Sequence, residues 1–347
     1  MICGLIIALL AILILPFLVK RCEHNLEIFL FFMGIIVVLI SNVLSADLIL
    51  HILQNEMLYF ITCAVLIAGI LFKFFVNKIK TGVEFAVSKF SLPVFLFFII
   101  IALGLISSVI TAIIASLVLV EIINALPIER KYQIRLCVIT CFSIGLGAAL
   151  TPIGEPLATI VVSILDKEFF YLLKTLGVYI IPGIVAMGLF GAIFVGRKAE
   201  LVHRGVQTEN GTDCRMDGES YREIITRAAK IFLFVVALEL LGAGFKPLIN
   251  TYIIHLDGML LYWINMISAI LDNATLAAAE ISPMMTEVQV KAILMGLLVS
   301  GGMLIPGNIP NIISACKLNI CSKEWAVLGV PLGLVVLLIY FLILFFL

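Results

Sequence analysis

Residues 147–156 read GAALTPIGEP and residues 301–311 read GGMLIPGNIPN, and both stretches lie inside long apolar sequence. Proline and glycine interrupt helices, and a bilayer tolerates interrupted backbone only where protein or a water-filled cavity satisfies the freed amides and carbonyls. Two related interruptions in one membrane chain are the best sequence indicator of the ion site of a secondary transporter. These two segments are therefore predicted to be paired breaks in transmembrane helices.

The composition indicates an integral membrane protein. Of the 347 residues, 63% are hydrophobic, against about 45–50% in soluble domains. The formal net charge is +0, so no basic surface is available for nucleic acid. Residues 1–19 are apolar and precede Lys20 and Arg21, which reverses the charge order of a cleaved signal peptide. We therefore expect a retained first span with its N-terminus outside.

Apolar runs close to the spanning length predict six simple transmembrane helices, at 1–19, 28–45, 56–77, 169–196, 227–244 and 325–347. Residues 92–126 are too long for one helix and hold one charge, Glu121, so they predict a re-entrant hairpin with its tip near Ser107 and Ser108. Residues 258–283 predict a second hairpin, with its tip at 271–275. Residues 134–165 and 288–316 each predict one span broken at its middle. The predicted fold is an all-α polytopic membrane protein.

The distribution of basic residues supports this layout. If both hairpins enter and leave on one side, 18 of the 22 Lys and Arg residues lie inside and only Lys167, Lys174, Lys246 and Lys291 lie outside. The positive-inside rule favours this arrangement in the cell membrane. The predicted domains are N-terminal spans (1–55), a first transport repeat (56–196), a cytoplasmic linker (197–226) and a second transport repeat (227–347).

The two transport repeats share the order span, hairpin, broken span, span. Ser107 pairs with Ser268, and the prolines at 152 and 156 pair with those at 306 and 310 at the same spacing. The first hairpin enters from inside and the second from outside, so the repeats are predicted to have inverted topology.

Polar residues at the breaks and tips supply the candidate ion ligands, since hydroxyls, amides, carbonyls and carboxylates suit small hard cations. The breaks and tips offer Thr151, Gly154, Glu155, Asn308, Asn311, Asp272, Asn273, Thr275, Ser107, Ser108 and Thr111. A sodium ion is predicted at Asp272, Asn273 and Asn308. The predicted proton carriers are Asp272, Glu155 and Glu239, because ionisable groups at membrane depth are usually functional.

Each candidate has a structural alternative. Asp272 and Glu155 also suit helix N-cap positions, the tip serines can simply satisfy backbone groups, and Glu239 suits an interfacial position. Cys137 and Cys141 have an i, i+4 spacing that suits a metal, but no further ligand completes a set, so we expect them to be buried small residues. No Lys or Arg lies at a tip or a break, which favours a cation over an anion. A carboxylate that binds either a proton or a cation is sufficient to couple antiport.

At these residues the chain resembles the ion transporter superfamily of arsenite pumps, NhaD-type sodium/proton antiporters, and citrate and dicarboxylate transporters. Residues 268–275, SAILDNAT, resemble its SAFLDN..T hairpin tip, and residues 151–154 and 301–311 are similar to its GG..TPIG...N break. Within the superfamily the chain looks like a small uncharacterised family of cation transporters. The resemblance implies inverted repeats, re-entrant hairpins, often a homodimer, and cation-site roles for Asp272, Asn273, Thr275, Thr151 and Gly154.

The predicted function is secondary active transport, by sodium/proton antiport with alternating access. The alternative is a sodium-coupled carboxylate or oxyanion transporter, and a channel would use a similar polar midplane. An intramembrane enzyme is not favoured, because neither HExxH nor GxSxG occurs. No cofactor is expected; the predicted partners are the lipid bilayer and a small inorganic ion.

Overall fold

The computed structural model describes residues 1–19, 26–55, 90–197, 199, 221–248, 251–252, 255–270 and 273–347, with scattered positions between 58 and 74. Every regular element in these residues is helical, and they contain no β-strand. The predicted span at 56–77 and most of the predicted linker at 197–226 lie outside the described residues.

Fourteen α-helices are described, together with three short helical segments of other types. The α-helices are α1 (Ile2–Leu18), α2 (Leu26–Ser41), α3 (Ala46–Gln54), α4 (Leu92–Ile110), α5 (Ala112–Ala125), α6 (Arg130–Ala148), α7 (Pro156–Ile164), α8 (Tyr171–Gly191), α9 (Tyr221–Leu248), α10 (Gly258–Ile264), α11 (Asn273–Glu280), α12 (Glu287–Gly301), α13 (Ile309–Lys317) and α14 (Ser322–Phe346). A π-helical turn, Ala192–Gly196, extends α8, and the 3-10 helices are Asn265–Ala269 and Ile305–Gly307.

The packing of these helices follows one plan in both halves of the chain. Helices α4, α6 and α8 pack against one another, and so do α10, α12 and α14. The short helices cross between the halves: α13 packs against α5, and α11 packs against α7. Helix α9 packs mainly along α2, which also contacts α1. The interior is almost wholly apolar, and α6 is buried along nearly its whole length.

Three helices of the described part are long and apolar enough to cross a membrane: Leu92–Ile110, Tyr171–Gly196 and Ser322–Phe346. Large apolar side chains on these helices face outward, including Phe98, Val178 and Val327 at 63%, 69% and 73% exposure. Exposing such apolar surfaces to water costs free energy, whereas exposing them to lipid does not. The chain is therefore an all-α membrane protein, as its composition predicts.

The first hairpin turns three residues later than the sequence predicted. Helix α4 continues through Ser107 and Ser108, whose hydroxyls are satisfied inside the helix by donating to the carbonyls of Gly104 (2.6 Å) and Leu105 (2.7 Å) three residues before them. The chain turns instead at Thr111, which has a φ of 76° and accepts a hydrogen bond from the Ile114 amide at its side chain. The turn therefore falls at Thr111, one of the three residues predicted for this tip, and not at Ser107 and Ser108 themselves.

Two helices begin where the sequence predicted connections or linker. Asp47 is exposed and lies in the first turn of α3, which Ser45 caps by accepting a hydrogen bond from the Leu48 amide at 3.1 Å. Helix α9 begins at Tyr221, within the range assigned to the linker. In both cases polar residues at a helix end resemble a loop in sequence.

Candidate ion site

The two breaks fold in the same way, 153 positions apart. Helices α6 and α12 end at Ala148 and Gly301, and the half-helices α7 and α13 are each 9 residues long. Their N-cap residues, Glu155 and Asn308, have φ/ψ of −153°/157° and −154°/147°. Asp166 and Asn319, which follow the half-helices, both have a φ of 49°. The two breaks therefore have the same local structure.

A glycine within each break lets the chain cross the end of the preceding helix. Gly154 lies against the carbonyl of Ala148, and Gly307 lies against the carbonyl of Gly301. Their amides donate to equivalent carbonyls, those of Thr151 (3.1 Å) and Leu304 (3.3 Å). A side chain at either glycine would meet backbone atoms. The close approach therefore explains why glycine occupies both positions.

The first hairpin tip is hydrogen-bonded to the first break. The Ala112 amide donates to the Gly154 carbonyl at 2.8 Å, and the Thr151 hydroxyl donates to the Ser108 carbonyl. The Ser107 hydroxyl donates to the Ile144 carbonyl at 3.0 Å. Positive φ at a non-glycine residue such as Thr111 (φ 76°) is strained and concentrates at functional sites. The structure thus brings the predicted residues of this tip and this break together.

The second tip contacts the second break in the equivalent way. Ser268 donates to the Leu297 carbonyl at 3.3 Å, as Ser107 donates to that of Ile144, and each carbonyl lies 11 residues before its N-cap. A Cβ at Gly307 would lie 2.6 Å from the Ser268 carbonyl oxygen. Asp272 lies outside the described residues, as does the side chain of Thr275. Asn273 is 2% exposed, and its Nδ2 atom has no hydrogen-bond partner.

The second break lies against the helix that leads into the first break. A Cβ on Gly145, one turn before the end of α6, would lie 2.6 Å from Asn308 Nδ2 at the start of α13. On the same face, the Cys141 thiol lies 3.6 Å from the Pro310 carbonyl and 3.5 Å from the Ser314 hydroxyl. Cys137 and Cys141 are buried, as predicted. The N-cap of the second half-helix therefore lies beside the helix that leads into the first break.

The buried polar side chains at the breaks carry the oxygens that a cation needs. Glu155, Asn308 and Asn311 are 4%, 2% and 0% exposed. Glu155 and Asn308 occupy N-cap positions, but neither side chain makes a cap hydrogen bond. Asn311 donates to the carbonyls of Gly301 (2.8 Å) and Leu304 (2.9 Å), which leaves its Oδ1 buried without a partner. Such an atom requires an explanation, and a bound ion supplies one.

Glu239 lies apart from the breaks, in a separate polar cluster. Its Oε1 accepts hydrogen bonds from the Ser163 hydroxyl and from the Asn55 amide, the latter at 3.0 Å. A small cavity beside it is lined by Thr159, Ile160, Ile164, Val235 and Glu239. Glu239 therefore links α9 to the end of α3 and to α7, and its role as a proton carrier stays a prediction.

Sequence reasoning missed a buried acid in the second hairpin. Glu280 ends α11 at 9% exposure and accepts a hydrogen bond from Asn265 at 2.8 Å. Glu121 on α5 is 5% exposed, so each hairpin has one buried carboxyl on its second arm. The sequence could have revealed Glu280 through this parallel with Glu121. Among the described residues, no group of three or more His, Cys, Asp and Glu side chains is placed to hold a metal.

Outside the membrane helices, Glu168 lies in the connection from α7 to α8 and is fully exposed. It pairs with Lys174 at 2.9 Å, and the hydrogen bond from that ammonium lowers the pKa of the Glu168 carboxyl. Because the pair is exposed, its contribution to stability is small. Glu168 therefore serves as a control for the buried acids.

Comparison with known proteins identifies the family but no activity. The model of the DUF1646 family, described as a protein of unknown function, matches residues 2–347. A search of curated proteins finds no match. Because the family model covers almost the whole chain, the chain belongs to the DUF1646 family.

Proposed function

Since this family has no assigned activity, we propose from the site that the protein is a secondary active cation transporter of the cell membrane. It exchanges sodium for protons by alternating access. Its ion site lies where the two breaks meet, with oxygens from Asn308, Asn311 and Glu155 and from the second tip at Asp272 and Asn273. The N-terminus lies outside and the linker inside, as the distribution of Lys and Arg favours.

The single observation that carries this proposal is the contact of Asn308 with Gly145. It brings the N-cap of one broken helix to the last turn before the other break, at two buried positions. Unwound backbone in a membrane is stable only inside protein or beside a water-filled cavity. A buried break that packs against the helix leading into a second break supports a dehydrating oxygen site for a small cation.

The exchange of partners between the halves supports inverted repeats. Each half-helix packs against the second arm of the other half's hairpin, α13 against α5 and α7 against α11. A two-fold axis in the membrane plane would produce this reciprocal packing. Of the described helices in the two hairpins, only α4 has spanning length. The re-entrant layout of the hairpins therefore rests on the distribution of charge and on the contact of the first tip with the first break.

Alternating access needs one group of helices to move against another. Helices α1, α2 and α9 form the proposed scaffold, and the helices that carry the breaks and tips form the moving group. Glu239 lies at the boundary, since it accepts hydrogen bonds from Asn55 beside the scaffold and from Ser163 on α7. The tip sequence SAILDNAT and the two breaks support membership of the ion transporter superfamily.

Flux in proteoliposomes, with sodium, potassium, lithium and pH gradients set separately, tests the proposal. We expect a sodium gradient to drive proton movement in the wild type. Asp272→Asn and Glu155→Gln should each reduce this sodium-driven proton flux by at least ~10-fold. Loss of an outer-shell partner alone costs a metal site about that much. The control Glu168→Gln should keep the wild-type rate, since that carboxyl is exposed and remote.

Two results would overturn parts of the proposal. Full sodium-dependent proton movement in both acid variants would exclude the two acids. An anion that raises the unfolding temperature only when sodium is present would replace antiport by sodium-coupled anion transport.

A further inference from the structure

Glu280 and Asn265 form a buried polar pair between the two arms of the second hairpin. Asn265 begins the 3-10 helix of the first arm and is 0% exposed, and Glu280 is the last residue of α11 in the second arm. The Asn265 amide donates to Glu280 Oε2 at 2.8 Å and to the Leu261 carbonyl at 2.9 Å. The pair therefore joins the two arms through one hydrogen bond.

The amide oxygen of Asn265 lacks a donor. Its Oδ1 is buried and has no hydrogen-bond partner, although Nδ2 has two acceptors. The amide cannot simply be turned over, because the Leu261 carbonyl accepts hydrogen bonds and would then face an oxygen. An unsatisfied buried acceptor costs about 1–3 kcal/mol. The neighbouring group able to supply a hydrogen is Glu280 in its acid form, because an acid and an amide can each donate one hydrogen bond to the other.

The surroundings of Glu280 offer no compensating cation among the described side chains. Helix α11 packs against α7, α9, α12 and the 3-10 helix Asn265–Ala269. Neither α7 nor that 3-10 helix has a titratable residue. The charged residues of the other two helices with described side chains are Arg222, Lys230, Glu239 and Lys246 on α9, and Glu287 and Lys291 on α12.

None of these charged groups forms an ion pair with Glu280 in the described structure. Lys291 pairs with Glu287 at 2.7 Å, Glu239 accepts from Asn55 and Ser163, and Lys246 is exposed. A carboxylate ion buried among these helices would lack a counter-charge, which is costly in a low-dielectric interior. The neutral acid avoids that cost.

We propose that Glu280 and Asn265 form a proton-binding site. The bound proton lies on the Glu280 carboxyl and is donated to Asn265 Oδ1, while Asn265 Nδ2 donates to the other carboxyl oxygen. Release of the proton to water removes the first of these bonds and leaves Asn265 Oδ1 without a donor beside a charged carboxylate, so it weakens the junction of the hairpin arms. A role for this proton in exchange rests on the proposed function, whereas the binding itself does not.

A metal cation suits this pair less well than a proton does. The Leu261 carbonyl already accepts from Asn265, and the Asn265 carbonyl accepts from the Ser300 hydroxyl at 2.9 Å. A cation needs several oxygens with available lone pairs, and here an N–H group points at the carboxyl. The proton requires only one carboxyl oxygen of Glu280 and the amide oxygen of Asn265.

Infrared difference spectra of the purified full chain in sodium-free detergent, taken between about pH 5 and about pH 9, test the site directly. We expect one protonated-carboxyl component in the wild type that is absent from Glu280→Gln and retained in Glu168→Gln. In Asn265→Ala the component should move to higher frequency, because its hydrogen-bond acceptor is gone. No sodium is present and no flux is measured, so failure of antiport would not change this result.

Thermal unfolding gives an independent measurement. The proton stabilises the folded hairpin, so the wild-type unfolding temperature should fall as pH rises, and Glu280→Gln should fall less because glutamine stays neutral. If Glu280→Gln does not fold, the shifted band of Asn265→Ala still decides the question. An unchanged carboxyl component in Glu280→Gln would overturn the proposal. The proposal would also be overturned if the wild type lacked this component and sodium stabilised the wild type but not Glu280→Gln.

Discussion

Replacing Gly307 with alanine is expected to cost about 3 kcal/mol of folding free energy, near the upper end for overpacking a close-packed site. The new Cβ would lie 2.6 Å from the carbonyl oxygens of Gly301 and Ser268 and 3.0 Å from that of Ala269. All three neighbours are backbone atoms, so no side chain can rotate away. The unfolding temperature of the purified protein, and its folded yield by size-exclusion chromatography, measure the loss. Gly154→Ala should behave alike, because Gly154 lies against the Ala148 carbonyl.

The matched control is Gly177→Ala on α8. Its Cβ would lie 3.4 Å from a side-chain atom of Leu173, which is ordinary contact, and alanine improves helix propensity by up to about 1 kcal/mol. This variant should therefore unfold at or above the wild-type temperature. Equal unfolding temperatures for Gly307→Ala and Gly177→Ala would show that the second break does not cross the end of α12.

The breaks were predictable because their signals are local. Proline and glycine end helices wherever they occur, so the sequence alone located the ends of α6 and α12 and the starts of α7 and α13. The register of the repeat was harder to obtain. Matching prolines suggests a separation of 154 residues, whereas the N-caps Glu155 and Asn308 are 153 apart. Proline is tolerated at either of the first two helical positions, so Pro156 and Pro310 do not occupy equivalent places.

The features that the sequence did not reveal depend on contacts between distant segments. Ser107 and Ser108 resemble a tip, but they lie within α4, where their hydroxyls donate to carbonyls of the same helix, and the turn falls at Thr111. The pairing of Glu280 with Asn265 joins residues 15 apart across a turn. The approach of Asn308 to Gly145 joins the two halves. No local pattern encodes these distances, because they follow from the way the helices pack.

Replacing Asn311 with leucine is expected to destabilise the fold by about 1 to 3 kcal/mol, the cost of one buried carbonyl that loses its donor. Asn311 donates to the carbonyls of Gly301, the last residue of α12, and of Leu304 within the break, and only the Leu304 carbonyl keeps a second donor, the Gly307 amide. One amide therefore holds both sides of the interruption in place. Asn124→Leu is the matched control, because Asn124 is exposed at the end of α5 and the same substitution there should change stability little.

The two ends of the Asn311 amide have different proposed roles: the nitrogen supports the backbone and the oxygen binds the ion. Asn311 Oδ1 is buried without a partner, although Nδ2 is fully used, so a cation at the breaks would be bound by the oxygen alone. Sodium should raise the unfolding temperature of the wild type and of Asn124→Leu, but not that of Asn311→Leu. The stability that Asn311→Leu loses in the absence of sodium reports only the hydrogen bonds donated by Nδ2. If sodium stabilises Asn311→Leu as much as the wild type, Asn311 supports the break without binding the ion, and the site must be assigned to the remaining oxygens.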